Sequence, residues 1–260
     1  MPGENGGENI EKWVKRGQAI DELIVFLVRH GETDHNREGR LQGRGGVSLN
    51  ETGKAQATLI ASWLGKTPLD AIYTSDILRA RQTASIIARF HPQCSVAEME
   101  ELREWDFGEW EGKTHDEILE YDKERREAWV EDPVNLPTPG GESLYQVRDR
   151  GVSAMRLIRE RNPCGRVAVV SHGALIRAVI TAFAGLPLEE ALTLRLDLGS
   201  VSILRFDEDG CSIEAVGFRP GVDTHVTLKT PSMPIAVKAS LGALLGTPLL
   251  TNTRNPRKWP

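Results

Sequence analysis

Leu23-Ile-Val-Phe-Leu-Val28 is an unbroken run of six apolar residues that leads straight into Arg29-His-Gly-Glu-Thr33. A continuous run rich in branched residues has the composition of a strand covered on both faces. A second such run, Arg166-Val-Ala-Val-Val170, ends in Ser171-His172-Gly173. Working outward, Thr52 can cap a helix to about Gly65 that carries Ala55, Leu59, Ile60 and Leu64 along one side. Asp70-Ala-Ile-Tyr-Thr74 reads as the next strand. Ser75 or Asp76 then caps a helix with Ile77, Ala80, Ala84 and Ile87, and a short strand follows near Cys94 to Met99. Later come a long helix from Glu142 to about Arg161, a helix from Gly173 to Ala184, and a hairpin of Val201 to Phe206 with Cys211 to Val216. Strands alternating with helices predict a three-layer α/β/α sandwich around a mostly parallel central sheet.

With 260 residues, 40% hydrophobic and 27% charged, the chain can bury a core, which excludes collagen-like and disordered classes. A net charge of -5, from 32 basic and 37 acidic residues, argues against nucleic acid or anionic lipid as a partner. Cys94, Cys164 and Cys211 are far apart and form no CxxC pair, so neither a disulfide framework nor a zinc knuckle is indicated. His172 and Arg177 interrupt the apolar stretch from Val167 to Leu186, and the first 22 residues are too polar for a signal peptide. These features predict a soluble, cytoplasmic protein. Residues 1–22 read as a leader with a short helix from Asn9 to Ile20, and residues 23–227 as the folded domain. Residues 102–142, rich in Trp, acids, Pro and Gly, read as an insertion over the core, with helical pieces after Thr114 and around Glu124 to Val130. Residues 228–260 form a basic, Pro-containing tail of five basic residues and no acid.

In an open α/β sheet, ligands bind beyond the carboxyl ends of the strands. There the sequence repeats itself, with Arg29-His30-Gly31 after one strand and His172-Gly173 after another, the latter opening a helix whose N-terminus favours anions. Arg79 falls in the first turn of the helix that follows another strand. Two guanidinium forks and two imidazoles suit an oxyanion and repel a metal, and a phosphoryl group is the most economical ligand. One imidazole can attack phosphorus while the other donates to its oxygens. A carboxyl group must protonate the leaving oxygen, and Glu100, Glu101, Glu104, Asp106, Glu109 and Glu111 are the candidates.

Five ordered blocks carry a resemblance: Leu27-Val-Arg-His-Gly-Glu-Thr33, Tyr73-Thr-Ser-Asp-Ile-Leu-Arg-Ala-Arg-Gln-Thr-Ala84, Leu102-Arg-Glu-Trp-Asp-Phe-Gly-Glu-Trp-Glu-Gly112, Pro139-Gly-Gly-Glu-Ser143 and Val170-Ser-His-Gly173. Together they resemble the histidine phosphatase superfamily, on its phosphoglycerate-mutase-like branch, across about residues 23–227. The resemblance implies that His30 is the phosphorylated nucleophile, that Arg29, Arg79 and His172 complete the phosphate pocket, and that Glu104 is the proton donor. It further implies that Asn36 and Gln42 contact the substrate phosphate and that Gly173 offers its amide. The implied partner is a small phosphorylated substrate, with no metal and no cofactor, and a homodimer is one open arrangement. The chain departs from the family after Gln42-Gly43, where Gly45-Gly46-Val47-Ser48-Leu49 replaces an Asp and a Pro-Leu pair, which suggests a looser loop.

The expected activity is a phosphomonoesterase. Its rivals are a phosphoglycerate mutase, a metallohydrolase using the two histidines, and a phosphate-binding regulatory module without turnover. About 26 residues separate Gly112 from Pro139, short for a cofactor-dependent mutase. More ordinary roles are expected for His35, His91 and His115 as local polar residues and for His225 as a structural one. Arg79 could instead be a surface partner of Asp76, and Trp105, Phe107, Trp110 and Trp129 could simply pack the insertion.

Overall fold

The computed structural model describes residues 21–223. The helix expected from Asn9 to Ile20, His225 and the basic tail lie outside the described residues. Six strands form one sheet: β1 (Leu23–Arg29), β2 (Ala71–Thr74), β3 (Val96–Glu98), β4 (Gly165–Ser171), β5 (Val201–Asp207) and β6 (Gly210–Phe218), in the order β3-β2-β4-β1-β5-β6. Strands β3, β2, β4 and β1 run parallel, while β5 and β6 close the sheet as an antiparallel hairpin. This is the mostly parallel sheet that the alternation predicts.

The helices are α1 (Asp34–Arg37), α2 (Glu51–Leu64), α3 (Leu78–Ala88), α4 (His115–Tyr121), α5 (Lys123–Glu131), α6 (Leu144–Arg161) and α7 (Gly173–Phe183). Side chains alternate across a strand, so β1 supplies both layers. Ile24, Phe26 and Val28 pack with Ile60 and Leu64 of α2 and Ala80, Ala84 and Ile87 of α3. Leu23, Val25 and Leu27 pack with Val147, Met155 and Ile158 of α6 and Leu175 and Val179 of α7. Trp105, Trp110 and Trp129 of residues 102–142 join that second cluster. No helix among the described residues is long and apolar enough to cross a membrane.

Two expected caps are corrected. Asn50, not Thr52, caps α2: its side chain accepts the Gly53 N–H at 2.9 Å and donates to Glu32 at 2.8 Å, a long-range partner that fixes the start. Helix α3 has Ile77 at its N-cap and no side-chain cap, because Asp76 is taken by Arg103, 2.8 Å from its Nε. The 102–142 segment holds the expected helices, α4 starting from a Thr114 capping box.

The β1 exit is seated on α2 by a glycine pair. A Cβ on Gly31 would stand 2.3 Å from the Gly53 carbonyl oxygen, and one on Gly53 would stand 2.1 Å from that of Glu32. Helix propensity alone favours Ala over Gly by about 1 kcal/mol. The contact should reverse that sign: Gly53→Ala is expected to destabilise by about 1–3 kcal/mol, as overpacking does. Urea unfolding measures it, and a more stable variant would refute the contact.

Candidate active site

Strands β1 and β4 pair in parallel with Arg29 opposite Ser171, so the next residue of each, His30 and His172, leaves the same edge side by side. Their ring centroids are 5.1 Å apart. On the other side of β4, Thr74 pairs with Val170, and the chain turns through Ser75 into α3, bringing Arg79 to the same place. The Arg79 Nε donates to His30 Nε2 at 3.1 Å. Arg79 is therefore fully buried at the site, which overturns the surface-pair reading with Asp76.

The tautomer of His30 follows from its other nitrogen. Nδ1 lies 2.7 Å from the Gly31 carbonyl, which can only accept, so the proton sits on Nδ1 and Nε2 keeps its lone pair. Burial, then the charges of Arg79 and Arg29, hold the His30 pKa well below its ordinary value. His172 is likewise held low by burial and by Arg79, and neither of its ring nitrogens meets a hydrogen-bond partner among the described residues. His30 is only 2% exposed, so its ring is part of the buried interior.

Arg29 donates through Nη1 to the Leu196 carbonyl, while its Nε has no acceptor among the described residues. Burial and Arg177 lower its pKa to about 10, which leaves it charged at neutral pH. The Glu104 carboxylate accepts from the Trp105 N–H at 2.9 Å and from Ala174 in the first turn of α7 at 3.1 Å. Gly173 lies against Arg29, where a Cβ would stand 3.2 Å from the guanidinium carbon. Gln42 is buried, its Oε1 accepting from the Thr33 hydroxyl and its Nε2 without a partner among the described residues. Asn36 is committed to the Thr33 capping box of α1. Among the described residues, no group of three His, Cys, Asp or Glu side chains converges as a metal site.

Two imidazoles, two arginines with no carboxylate salt bridge among the described residues and a buried carboxylate on one sheet edge fit a phosphoryl group. Residues 25–219 match the profile of the histidine phosphatase superfamily (branch 1). This chain belongs to that superfamily. It is 35% identical to phosphoserine phosphatase 1 of Hydrogenobacter thermophilus over 184 residues, 71% of this chain and 87% of that one. It is 39% identical to a metal-independent phosphoserine phosphatase of Arabidopsis thaliana over 173 residues, 65% of this chain and 72% of the relative. The structure of a mycobacterial glucosyl-3-phosphoglycerate phosphatase with VO3 superposes with a TM-score of 0.68 at 29% identity, over 75% of this chain and 99% of that one. Other relatives carry phosphoglycerate mutase names.

In this histidine phosphatase the second layer of contacts was not visible in the motifs. Arg79 is held by main-chain carbonyls, donating to Gly43 at 2.8 Å and Gly45 at 3.2 Å. The loop expected to be loose is thereby tied down, and its Arg44 and Gly45 amides donate in turn to the Glu111 carboxylate. Arg150 of α6 donates to the carbonyls of Glu101 at 3.1 Å and Glu104 at 2.8 Å, and grips Glu142 through Nε at 2.9 Å. Arg44 reaches Glu142 at 3.3 Å and Asp106 at 3.2 Å, so one network joins the phosphate loop to the Glu104 loop. Glu142 belongs to the Pro-Gly-Gly-Glu block, but its partner Arg44 lies far away in sequence. The tryptophans 105, 110 and 129 are buried and pack on one another.

The depressed histidines make stability depend on pH. In the unfolded chain each imidazole takes up a proton below about pH 6.5, whereas the folded protein keeps His30 and His172 neutral. Their contribution is present above that pH and lost as pH falls. In His172→Asn, unfolding free energies measured from pH 7 to pH 5 should fall less steeply, by up to about 1.4 kcal/mol per pH unit. An unchanged slope would refute the neutral buried state.

Proposed function

We propose that this chain is a phosphomonoesterase of small phosphorylated metabolites that works through a phosphohistidine on His30. The observation that carries the reading is the fixed tautomer: Nδ1–H is spent on the Gly31 carbonyl, and the Nε2 lone pair accepts from Arg79 beside the His172 ring. Substrate phosphate draws the Arg79 Nε–H away from Nε2 to its own oxygens, with Arg29 and the His172 ring beside it. The Gln42 Nε2 and the Gly173 amide are further donors to the same oxygens, whereas Asn36 acts through the shape of the Thr33 turn.

Nε2 attacks phosphorus, and the bond from phosphorus to the ester oxygen breaks as Glu104 delivers its proton to that oxygen, releasing an alcohol. Water then attacks the phosphohistidine and gives a proton to Glu104. The P–N bond breaks, its electron pair returns to Nε2, and inorganic phosphate leaves. The short span between Gly112 and Pro139 favours water over a second hydroxyl as acceptor. We place this working unit within residues 23–227, with 102–142 supplying the donor, in a cytoplasmic protein.

Acid-labile, alkali-stable phosphoenzyme should form on rapid quenching with a phosphomonoester and should be absent in His30→Ala and in His30→Gln, the second variant guarding against loss of fold from an emptied buried site. Labelling that persists in both would overturn the assignment. Glu104→Gln should slow alkyl phosphates at least about tenfold more than aryl phosphates, since general acid catalysis contributes about 100-fold or more where the leaving group is poor. Equal losses on both, read as kcat/KM, would remove Glu104 from the donor role.

A further inference from the structure

We propose that Arg177 is a second anion-binding position in this pocket, one that receives a carboxylate carried by the leaving group, so that preferred substrates are phosphomonoesters with a further negative charge close to the ester oxygen. The inference rests on the phosphomonoesterase reading above and names the substrate class of the same site.

Arg177 follows Gly173 by four residues and Ala174 by three, and side chains at those spacings share a helix face. On that face Gly173 touches the Arg29 guanidinium and the Ala174 N–H holds Glu104. The Arg177 Nε donates to the Leu194 carbonyl at 2.8 Å, while Arg29 donates to Leu196 two residues on. The two guanidinium groups therefore hang from one segment of chain, next to the proton donor.

Arg103, Arg150 and Arg205, half-buried elsewhere, each hold a carboxylate: Asp76, Glu142 and Glu214. Arg177 shares with Arg29 and Arg79 the lack of one among the described residues, and its two Nη groups meet no acceptor there. Setting guanidinium groups side by side, partly out of water, is unfavourable unless anions balance them, and Glu104, the carboxylate that acts on all three arginines, is one charge against three. For Arg29 and Arg79 the further anion is the phosphoryl group. Arg177 is placed for a different one. Arg177 acts on Arg29 and is itself supported by Glu104, whose carboxylate the Ala174 N–H holds on the same helix face. It thus stands on the donor's side of the pocket, where the departing alcohol must lie. A planar fork there matches a carboxylate with two parallel hydrogen bonds.

The test compares matched pairs differing in the carboxylate: O-phosphoserine with O-phosphoethanolamine, and 3-phosphoglycerate with glycerol 3-phosphate. The wild type should favour the carboxylate member of each pair in kcat/KM. In Arg177→Met that preference should shrink about 10- to 100-fold, the range for a charge-assisted hydrogen-bonded pair. The loss should appear mainly as a raised KM, the mark of binding common to ground and transition states. Arg177→Lys keeps the charge without the fork and should fall between. If Met lowers both members of each pair equally, Arg177 only supports the fold or Arg29, and the inference fails while the phosphatase reading stands. If the wild type hydrolyses none of these or any other phosphomonoester, the phosphatase reading itself fails, and this inference with it.

Discussion

The in-register parallel pairing of β1 with β4 is the constraint on which the site depends. Seven residue pairs, from Leu23 opposite Gly165 to Arg29 opposite Ser171, fix where both strands stop. A slip of one residue would turn each side chain of β1 to the opposite layer, exchanging the sets held by α2 and α6. Register is thus enforced by burial on both faces, and the separation of the two imidazoles is a by-product of core packing. The catalytic edge needs no special device to align its halves.

Charge is the complementary constraint. Arg29, Arg79 and Arg177 all feel the charge of one buried carboxylate, Glu104, in a chain whose overall balance is acidic. The pocket resists collapse of its positive charge because the nearby acids are already engaged: Asp76 with Arg103, Glu142 with Arg150 and Arg44, and Glu111 with backbone amides. Those pairings keep the surrounding carboxylates from neutralising Arg29 and Arg79. They also give the 102–142 segment a mechanical role, since the loop bearing Glu104 is fastened from beneath by Arg150.

Much of this could be read from the chain because it is written locally. Continuous apolar runs at 23–28 and 166–170 announce doubly covered strands, and the His-Gly steps that end them mark the ligand edge. The positions of Arg79 and Glu104 needed the family resemblance, and the structure brings both to the site. What escaped is held by partners distant in sequence. Asn50 outranks Thr52 as a cap because Glu32 orients it, and Arg150 finds its carbonyls 46 to 49 residues upstream. No local period encodes such pairings. Arg177 was visible only as an interruption of an apolar run, yet a lone guanidinium in a helix otherwise buried in the core is itself a signal that something must meet it.

The manner in which Arg79 is gripped has a bearing on how such loops diversify. Its nitrogens rest on the peptide oxygens of Gly43 and Gly45, not on side chains. Peptide oxygens are the same whatever amino acid carries them, so side-chain changes in this turn preserve its path as long as Gly43 and Gly45 stay, where a Cβ would crowd the Trp105 carbonyl and the Glu111 carboxylate. The Asp and the Pro that the resemblance implies can therefore be absent, as here, with the seat of Arg79 undisturbed.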